Sequence, residues 1–523
     1  MRRITGLLAV GLAVASLVVA SLVVAPAGAR STKSTTTTTR PAPVTTAPPL
    51  PKFDTTLAWS DCGDGFQCAT LTVPVDWAKP TGEQVGIAMT RLPATDAAQR
   101  IGALVVNYGG PGEGGVDYLH QTYGRLPAEV RARFDIVSFD PRGTGASRPV
   151  DCVDDAMLDL ATGLPPIPDT EQALEAYEKY NAAFAQGCTE RMGAYAGQVG
   201  TRNVARDVEA MRVALGEPTL NYLGYSYGTI LGEAYAQMYP SHVRSMVLDG
   251  PPDYSLSTRD YDYQQAKGFA DALTAFLAWC GQTQCSLTRA GNPGDVLNQL
   301  IARTATDPIP ADYVVDGQTR HGTLDGSMLQ TGVISLLYDQ ARGWPLLADA
   351  LRSAAQDNWG GPLLAYADSY LGRDPNGTYP SSMVEANSVI NCVDRPAAKQ
   401  QPTNAQILAD VERFQQQLPP WGGSWAAPSC VGMPEPAKGD RLGDLTVKGA
   451  PPILVIGTTG DPATPYAGAE ATVKRITGST LLTYDATEHT GYGSGRSNCV
   501  DDAADRYLVD GVLPATGTHC SPN

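Results

Sequence analysis

The feature that most constrains the fold of this chain is the pentapeptide Gly-Tyr-Ser-Tyr-Gly at 224–228. Mostly apolar residues at 220–223 precede it and predict a short buried strand. Apolar residues at helical spacing follow it from Ile230 to Met238, and the pattern ends at Pro240. In this context a G-x-S-x-G sequence places its serine on a sharp turn, because the glycines let the strand and the helix approach each other. We therefore predict that Ser226 is an exposed nucleophile.

The rest of the chain has the organisation of an α/β protein with a large insertion. Strand and helix patterns alternate from Cys68 to about Pro252, which is typical of a parallel sheet. Helical patterns then dominate until strand patterns return at 453–456 and 480–484. We expect an α/β-hydrolase fold, with a mostly parallel sheet flanked by helices and an inserted, mainly helical cap. The expected domains are a core at 53–252 and 446–523 and a cap at 253–445.

The N-terminal segment is typical of an exported protein. Two arginines precede a long apolar run, and Ala27-Gly28-Ala29 follows it, which predicts a cleaved signal peptide at 1–29. An uncleaved membrane anchor is the alternative, since about 22 mostly apolar residues are long enough to span a bilayer. Residues 30–52 are rich in Thr and Pro and predict a linker. We expect a secreted or cell-envelope protein, and association with the cell wall remains an open alternative.

Composition excludes some functions. A formal net charge of −16 argues against nucleic-acid binding. The ten cysteines of an exported chain predict disulfides, and the five histidines are scattered rather than spaced as metal ligands. We therefore expect no metal. Proximity along the chain suggests these pairs: Cys62–Cys68, Cys152–Cys188, Cys280–Cys285, Cys392–Cys430 and Cys499–Cys520.

A catalytic acid and a histidine are expected after the nucleophile, at the ends of late strands. Asp461 closely follows the strand pattern at 453–456, and His489 follows the next one. Asp485 and Glu488 are the alternatives for the acid, but both are too near His489 in sequence to face its ring from a second strand. The remaining histidines do not follow a late core strand; they are His120, His242, His321 and His519.

An oxyanion hole needs two backbone N–H groups. The residue after the nucleophile, Tyr227, supplies one, and the glycine-rich loop at 107–112 supplies the other, with Gly110 as the best candidate. The predicted machinery requires no cofactor.

These motifs resemble those of the secreted tripeptidyl aminopeptidases of Gram-positive bacteria and related cell-envelope serine proteases. The glycine-rich loop also looks like the HGGPG loop of prolyl aminopeptidases, with Tyr108 in place of their histidine. Glu113 is a departure, because small residues are common at that place. The shared motifs are N-x-G-G-P-G at 107–112, D-x-R-G-x-G-x-S at 140–147, G-Y-S-Y-G-T at 224–229, D-x-x-T-P at 461–465 and H-x-G-Y-G at 489–493. The resemblance implies removal of short peptides from free N-termini.

We therefore expect a monomeric, exported serine exopeptidase that acts on a peptide or protein with a free N-terminus. A buried α-ammonium group needs a counter-charge. The acids considered for this role are Glu113, Glu385 and Asp394. Two alternatives remain open: an esterase or lipase with the same triad, and a catalytically silent envelope-binding protein on the same fold.

Overall fold

The computed structural model describes residues 49–315, 317–395, 402–427, 429–437 and 439–523. The predicted signal peptide and most of the predicted linker lie outside the described residues. Within these ranges, no helix is both long enough and apolar enough to cross a membrane.

The core is a ten-stranded sheet with eight main strands. These are β1 Gln67–Pro74, β2 Gln84–Leu92, β3 Gly102–Asn107, β4 Phe134–Phe139, β5 Leu220–Tyr225, β6 Val243–Asp249, β7 Leu454–Thr458 and β8 Thr480–Tyr484. Their spatial order is β1-β2-β4-β3-β5-β6-β7-β8, and the two-residue strands Ser60–Asp61 and His519–Cys520 lie at the two edges. The first hairpin is antiparallel, as is the β2–β4 pair, and β3 to β8 run parallel. The expected α/β-hydrolase fold is confirmed.

Helices cover both faces of this sheet. They are α1 Gly115–Thr122, α2 Ala128–Arg133, α3 Asp155–Thr162, α4 Glu171–Met192, α5 Thr201–Ala214, α6 Tyr227–Met238, α7 Thr258–Thr283, α8 Pro293–Thr304, α9 Gly326–Leu337, α10 Gly343–Gln356, α11 Gly361–Leu371, α12 Met383–Asp394, α13 Asn404–Gln417, α14 Ala467–Arg475 and α15 Asn498–Asp510. Successive residues of β3 belong to opposite layers: Val105 packs with α5 and α6, whereas Leu104 and Val106 pack with α1 and α15. A strand buried on both faces explains the continuous apolar run at 103–106.

The segment between β6 and β7, which we call the insert, is mainly helical. The two strands that flank it are parallel neighbours, with Val247 opposite Leu454. Its helices α7 to α11 form an apolar cluster of their own around Trp344 and Phe276. Helix α12 differs, because Val389 and its neighbours pack into the sheet's own apolar cluster. The division into core and cap at 253 and 445 remains our proposal.

The ten cysteines lie in five bonded pairs. The pairs are those suggested by proximity: Cys62–Cys68, Cys152–Cys188, Cys280–Cys285, Cys392–Cys430 and Cys499–Cys520. Five such pairs suggest an oxidising compartment.

A buried ion pair holds the loop after β4 in place. Arg142 and Asp207 are both fully buried, with 2.6 Å between Arg142 Nε and Asp207 Oδ2. Arg142 also donates to the carbonyl oxygens of Pro74 and Val75, and Trp77 Nε1 donates to Asp207 Oδ1. The buried charge of Arg142 in this loop is therefore satisfied by Asp207 of α5 and by two backbone carbonyl oxygens.

Removal of one partner of this pair is expected to destabilise the protein strongly. Arg142→Gln leaves the Asp207 carboxylate buried without its counter-charge, which costs about 3–5 kcal/mol. Arg191→Gln is the control, because Arg191 and Asp151 form an exposed pair 2.6 Å apart, and such pairs contribute about 0–1 kcal/mol. Chemical denaturation of both variants measures the difference. Equal stabilities would contradict a structural role for the buried pair.

Candidate active site

Ser226 lies in the turn between β5 and α6, with strained backbone angles of φ 54° and ψ −126°. This turn depends on close approach at its two glycines. A Cβ at Gly228 would lie 2.5 Å from the carbonyl oxygen of Asn107, and one at Gly224 would meet the carbonyl oxygen of Gly228. The backbone N–H of Ser226 donates to the carbonyl oxygen of Asp249 at 2.9 Å. The geometry is that of an elbow that exposes a nucleophile.

His489 and Asp461 form a hydrogen-bonded pair on neighbouring loops. His489 Nδ1 lies 2.9 Å from each carboxylate oxygen of Asp461. The carboxylate is held in place by the backbone N–H groups of Ala463 and Thr464, which donate to Oδ1 at 2.9 and 2.8 Å. The Thr464 hydroxyl donates to Oδ2 at 3.0 Å and lies 3.3 Å from His489 Nδ1. These bonds fix the carboxylate of Asp461 in the position from which it orients the imidazole.

The loop that carries His489 is held from two sides. Asp249, at the end of β6, accepts hydrogen bonds on Oδ2 from the N–H groups of Gly491 and Tyr492, at 2.9 and 2.8 Å. The N–H of His489 donates to the carbonyl oxygen of Tyr338 in the insert, at 2.8 Å. The position of the imidazole thus depends on both the core and the insert.

Two pKa shifts at this site have a clear cause. Burial disfavours the charged form of His489, but the charge and hydrogen bond of Asp461, together with the charge of Asp249, outweigh it and raise the pKa of His489. Burial raises the pKa of Asp249 to about 7, although its two backbone hydrogen bonds act in the opposite direction. Oδ1 of Asp249 has no hydrogen-bond partner among the described residues. A buried carboxyl group of this kind favours the protonated form.

The alternative acids have other partners. Asp485 lies on the surface with an oxygen 3.1 Å from Nδ1 of His519. Glu488 accepts a hydrogen bond from the Tyr484 hydroxyl at 2.6 Å and pairs with Arg496. The three remaining histidines contact residues away from Ser226; the pairs are His120 with Thr90, His242 with Glu209, and His321 with Asp312. The structure thus brings Asp461, and not its alternatives, to the ring of His489.

The glycine-rich loop packs directly against the elbow. A Cβ at Gly109 would lie 3.0 Å from Cβ of Ser226 and 3.1 Å from the backbone nitrogen of Tyr227. Both Gly109 and Gly110 have positive φ, which side chains rarely tolerate. The N–H of Tyr227 begins helix α6 and is free of an intrahelical partner, so it suits a developing negative charge. Gly110 and Tyr227 line one cavity together with Ser226, and their role as an oxyanion hole remains our proposal.

Ser226 lies where two cavities meet. The larger cavity, of about 390 Å³, is lined by Gly110, Tyr227 and many aromatic and amide side chains of the insert. The smaller cavity, of about 290 Å³, is lined by His489. Ser226 and Tyr338 line both. No hydrogen bond joins the Ser226 hydroxyl to His489 in the described part of the chain, and such bonds often tighten only when substrate binds.

The three acids considered for the substrate N-terminus line neither cavity. Glu385 accepts hydrogen bonds from the N–H groups of Cys152 and Val153, at 2.7 and 3.0 Å. Asp394 is buried and accepts hydrogen bonds from the N–H and hydroxyl of Thr201. Glu113 is half-buried, and burial and nearby Asp140 and Asp117 raise its pKa. The carboxylates of Glu385 and Asp394 are thus engaged in holding loops and helix ends.

The structure adds four residues that the sequence analysis did not single out: Asp249, Tyr338, Asn387 and Thr464. Asn387 Nδ2 donates to the carbonyl oxygen of Pro111 at 2.9 Å and so ties the glycine-rich loop to α12. The sequence does contain signals for two of them: Asp249 is an acid at the end of a parallel strand, and Thr464 is the threonine of the D-x-x-T-P motif. Tyr338 and Asn387 lie in the insert, where no local pattern marks their partners.

One group of side chains brings three potential metal ligands together, namely Cys62, Cys68 and His120. The two sulfur atoms form a disulfide and are therefore not available as thiolates.

Comparison with known proteins places the chain among hydrolases. A family model described as "TAP-like protein" matches residues 417–520. The chain is 35% identical over 493 residues to serine protease Hip1 of Mycobacterium tuberculosis. This alignment covers 90% of this chain and 92% of that protein. It is 34% identical to carboxylesterase B of the same species, over 87% of this chain and 86% of that protein. It is 32% identical to the tripeptidyl aminopeptidase of Streptomyces coelicolor, over 89% of this chain and 86% of that protein.

Similarity at this level extends over 87–90% of the chain, and the α/β-hydrolase fold agrees with it. The chain therefore belongs to the TAP-like family of α/β-hydrolases, together with serine protease Hip1 and the Streptomyces tripeptidyl aminopeptidases.

Proposed function

We propose that this serine hydrolase is an exported exopeptidase that releases short peptides, tripeptides in particular, from free N-termini. The observation that carries the proposal is the pairing of His489 with Asp461 at 2.9 Å beside a cavity that Ser226 shares. The names of two relatives, a serine protease and a tripeptidyl aminopeptidase, favour a peptide substrate. Export rests on the predicted signal peptide and on the five cysteine pairs.

The chemistry follows from the geometry in two stages. Ser226 Oγ attacks the scissile carbonyl carbon while His489 takes the hydroxyl proton, and the oxyanion is bound by the N–H groups of Gly110 and Tyr227. His489 then donates the proton to the leaving amine, and an acyl-enzyme ester remains on Ser226. Water, activated by the same imidazole, hydrolyses this ester. Asp461 keeps Nδ1 protonated and stabilises the imidazolium.

The larger cavity suits the acyl part of a peptide. Both proposed oxyanion donors line it, together with residues of the insert that include Tyr261, Phe269 and Trp425. A cavity of about 390 Å³ has room for few residues before the scissile bond, which favours an exopeptidase over an endopeptidase.

The substrate's α-ammonium group would meet uncharged partners in this cavity. Its lining, among the described residues, includes no carboxylate and one cation, Arg395, which pairs with Asp262 at 2.9 Å. Amide oxygens such as that of Gln330 and the faces of the tyrosine and tryptophan rings remain as acceptors for an ammonium group. We therefore assign recognition of the N-terminus to these groups rather than to Glu113, Glu385 or Asp394.

An esterase is the second candidate. One relative is named carboxylesterase B, and the absence of a carboxylate from the described lining of the larger cavity suits an uncharged acyl group equally well. Relative rates on matched amides and esters distinguish the two.

Loss of any triad residue is expected to remove activity and leave the fold intact. Ser226→Ala, His489→Ala and Asp461→Ala should each lower kcat by about 10⁴-fold or more, and the Ser226–His489 double variant should be scarcely worse than either single one, because the residues act as a unit. Asp485→Ala is the matched control and should keep wild-type kcat. Retained activity in Asp461→Ala with loss in Asp485→Ala would overturn the assignment of the acid.

Asp249→Asn is expected to shift the acid limb of the kcat/KM profile to lower pH. Above about pH 7 the Asp249 carboxylate is largely ionised, and there its negative charge raises the pKa of His489. A neutral amide removes this charge, which lowers that pKa and keeps the imidazole in its basic form at lower pH. The asparagine oxygen can still accept the two backbone hydrogen bonds. Asp501→Asn is the control, because Asp501 accepts from Gly493 N–H in the same loop at 2.8 Å. An unchanged limb, or equal shifts in both variants, would contradict this role.

Acetylation of the substrate N-terminus tests the proposed function itself. Fluorogenic tripeptidyl amides with a free amine should be cleaved roughly thirty-fold better than their acetylated forms, since contacts of an ammonium group with aromatic faces and amide oxygens contribute about 2 kcal/mol. Aminoacyl and dipeptidyl amides, and a p-nitrophenyl ester, complete the set. Equal cleavage of free and blocked tripeptides would exclude an amine site, and far faster turnover of the ester than of any amide would favour the esterase.

A further inference from the structure

The side chains that line the smaller cavity include more cations than anions. Three arginines and two carboxylates line it, and Arg496 alone pairs with both carboxylates, Asp339 at 2.5 Å and Glu488. Arg125 and Arg342 make no ion pair with any described residue. These two exposed arginines therefore line the same cavity as His489 without an ion-pair partner, in a chain whose net charge is −16.

The position of His489 indicates which part of the substrate enters this cavity. The imidazole must reach the nitrogen of the departing amine to protonate it. His489 lines the smaller cavity, whereas the proposed oxyanion donors Gly110 and Tyr227 line the larger one. With Ser226 between them, the acyl part extends into the larger cavity and the leaving part into the smaller.

Arg125 and Arg342 approach this space from different parts of the fold. Arg125 follows α1 in the core, and Arg342 precedes α10 in the insert, so the two side chains reach the cavity from different segments. Guanidinium groups bind carboxylates through paired N–H donors, and an unpaired one at a cavity rim is available for such a contact. Arg496 binds both Asp339 and Glu488, and among the described residues neither carboxylate forms an ion pair with Arg125 or Arg342.

Building on the proposed function, we propose that the smaller cavity selects peptides whose leaving segment carries a carboxylate, which Arg125 and Arg342 bind. The carboxylate is either the C-terminus of a short peptide or an acidic side chain close after the scissile bond. It takes no part in the chemistry: the C–N bond breaks, the acyl group passes to Ser226 Oγ, and the amine leaves with the proton from His489. The enzyme would thus favour short or acidic products of earlier proteolysis.

Matched peptides test this preference and separate the two sources of the carboxylate. Ala-Ala-Ala-Gly-Gly as the free acid and as the C-terminal amide reports on the C-terminus. Ala-Ala-Ala-Asp-Gly-amide and Ala-Ala-Ala-Asn-Gly-amide report on a side chain. We expect the anionic member of at least one pair to have a kcat/KM about tenfold higher, with each guanidinium contributing about threefold as a partly exposed ion pair does.

The arginine variants provide the decisive comparison. Arg125→Gln and Arg342→Gln should each lower the preference about threefold, the double variant should abolish it, and added salt should weaken it in the wild type. Arg289→Gln is the control, because Arg289 is an exposed arginine of the insert that lines neither cavity. Wild-type ratios near one for both pairs, or a ratio that survives in the double variant, would overturn the proposal.

An ester pair separates this proposal from the proposed function. The acetyl esters of 4-hydroxybenzoate and 4-hydroxybenzamide differ in the charge of the leaving group, and the ratio of their kcat/KM values is compared between the wild type and the double variant. Peptides cleaved without preference would refute the arginine site and keep the peptidase. Peptides left intact while the esters show an arginine-dependent ratio would refute the peptidase and keep the site. No arginine dependence in either series refutes the site.

Discussion

The arrangement of the site depends on Asp249, which bonds both to Ser226, the proposed nucleophile, and to the loop that carries His489, the proposed base. Its carbonyl oxygen accepts the N–H of Ser226, and its carboxylate accepts the N–H groups of Gly491 and Tyr492 just beyond His489. One residue at the end of β6 therefore sets the distance between the elbow and the histidine loop. Because the carboxyl group is fully buried, these short backbone contacts are not weakened by water.

The insert completes the site rather than merely covering it. The carbonyl oxygen of Tyr338 holds the N–H of His489, and the amide of Asn387 holds the carbonyl oxygen of Pro111 in the glycine-rich loop. Helix α12 packs into the apolar cluster of the sheet, so Asn387 is placed by the core itself. The segment that lines the proposed acyl cavity thus also positions the proposed catalytic groups.

The sequence predicted what local patterns determine. Apolar periodicity and glycine spacing indicated the strands, the elbow at Ser226 and the order of Asp461 and His489, and the structure brings these groups together. The sequence could not predict contacts between distant segments, such as those of Tyr338, or the packing of α12. The acids Glu385 and Asp394 illustrate the reason: a carboxylate in an insert has no signature that tells a ligand contact from a backbone hydrogen bond, and both were found to bind backbone N–H groups.

Covalent trapping with a tripeptidyl diphenyl phosphonate that has a free N-terminus tests the central claim most directly. Such a reagent requires an activated serine, an oxyanion hole and an acyl cavity that accepts three residues. We predict one equivalent of label, located on Ser226 by peptide mapping, slower labelling by the N-acetylated reagent, and none in His489→Ala. Label on a different serine, or no label on the folded wild-type protein, would contradict the account.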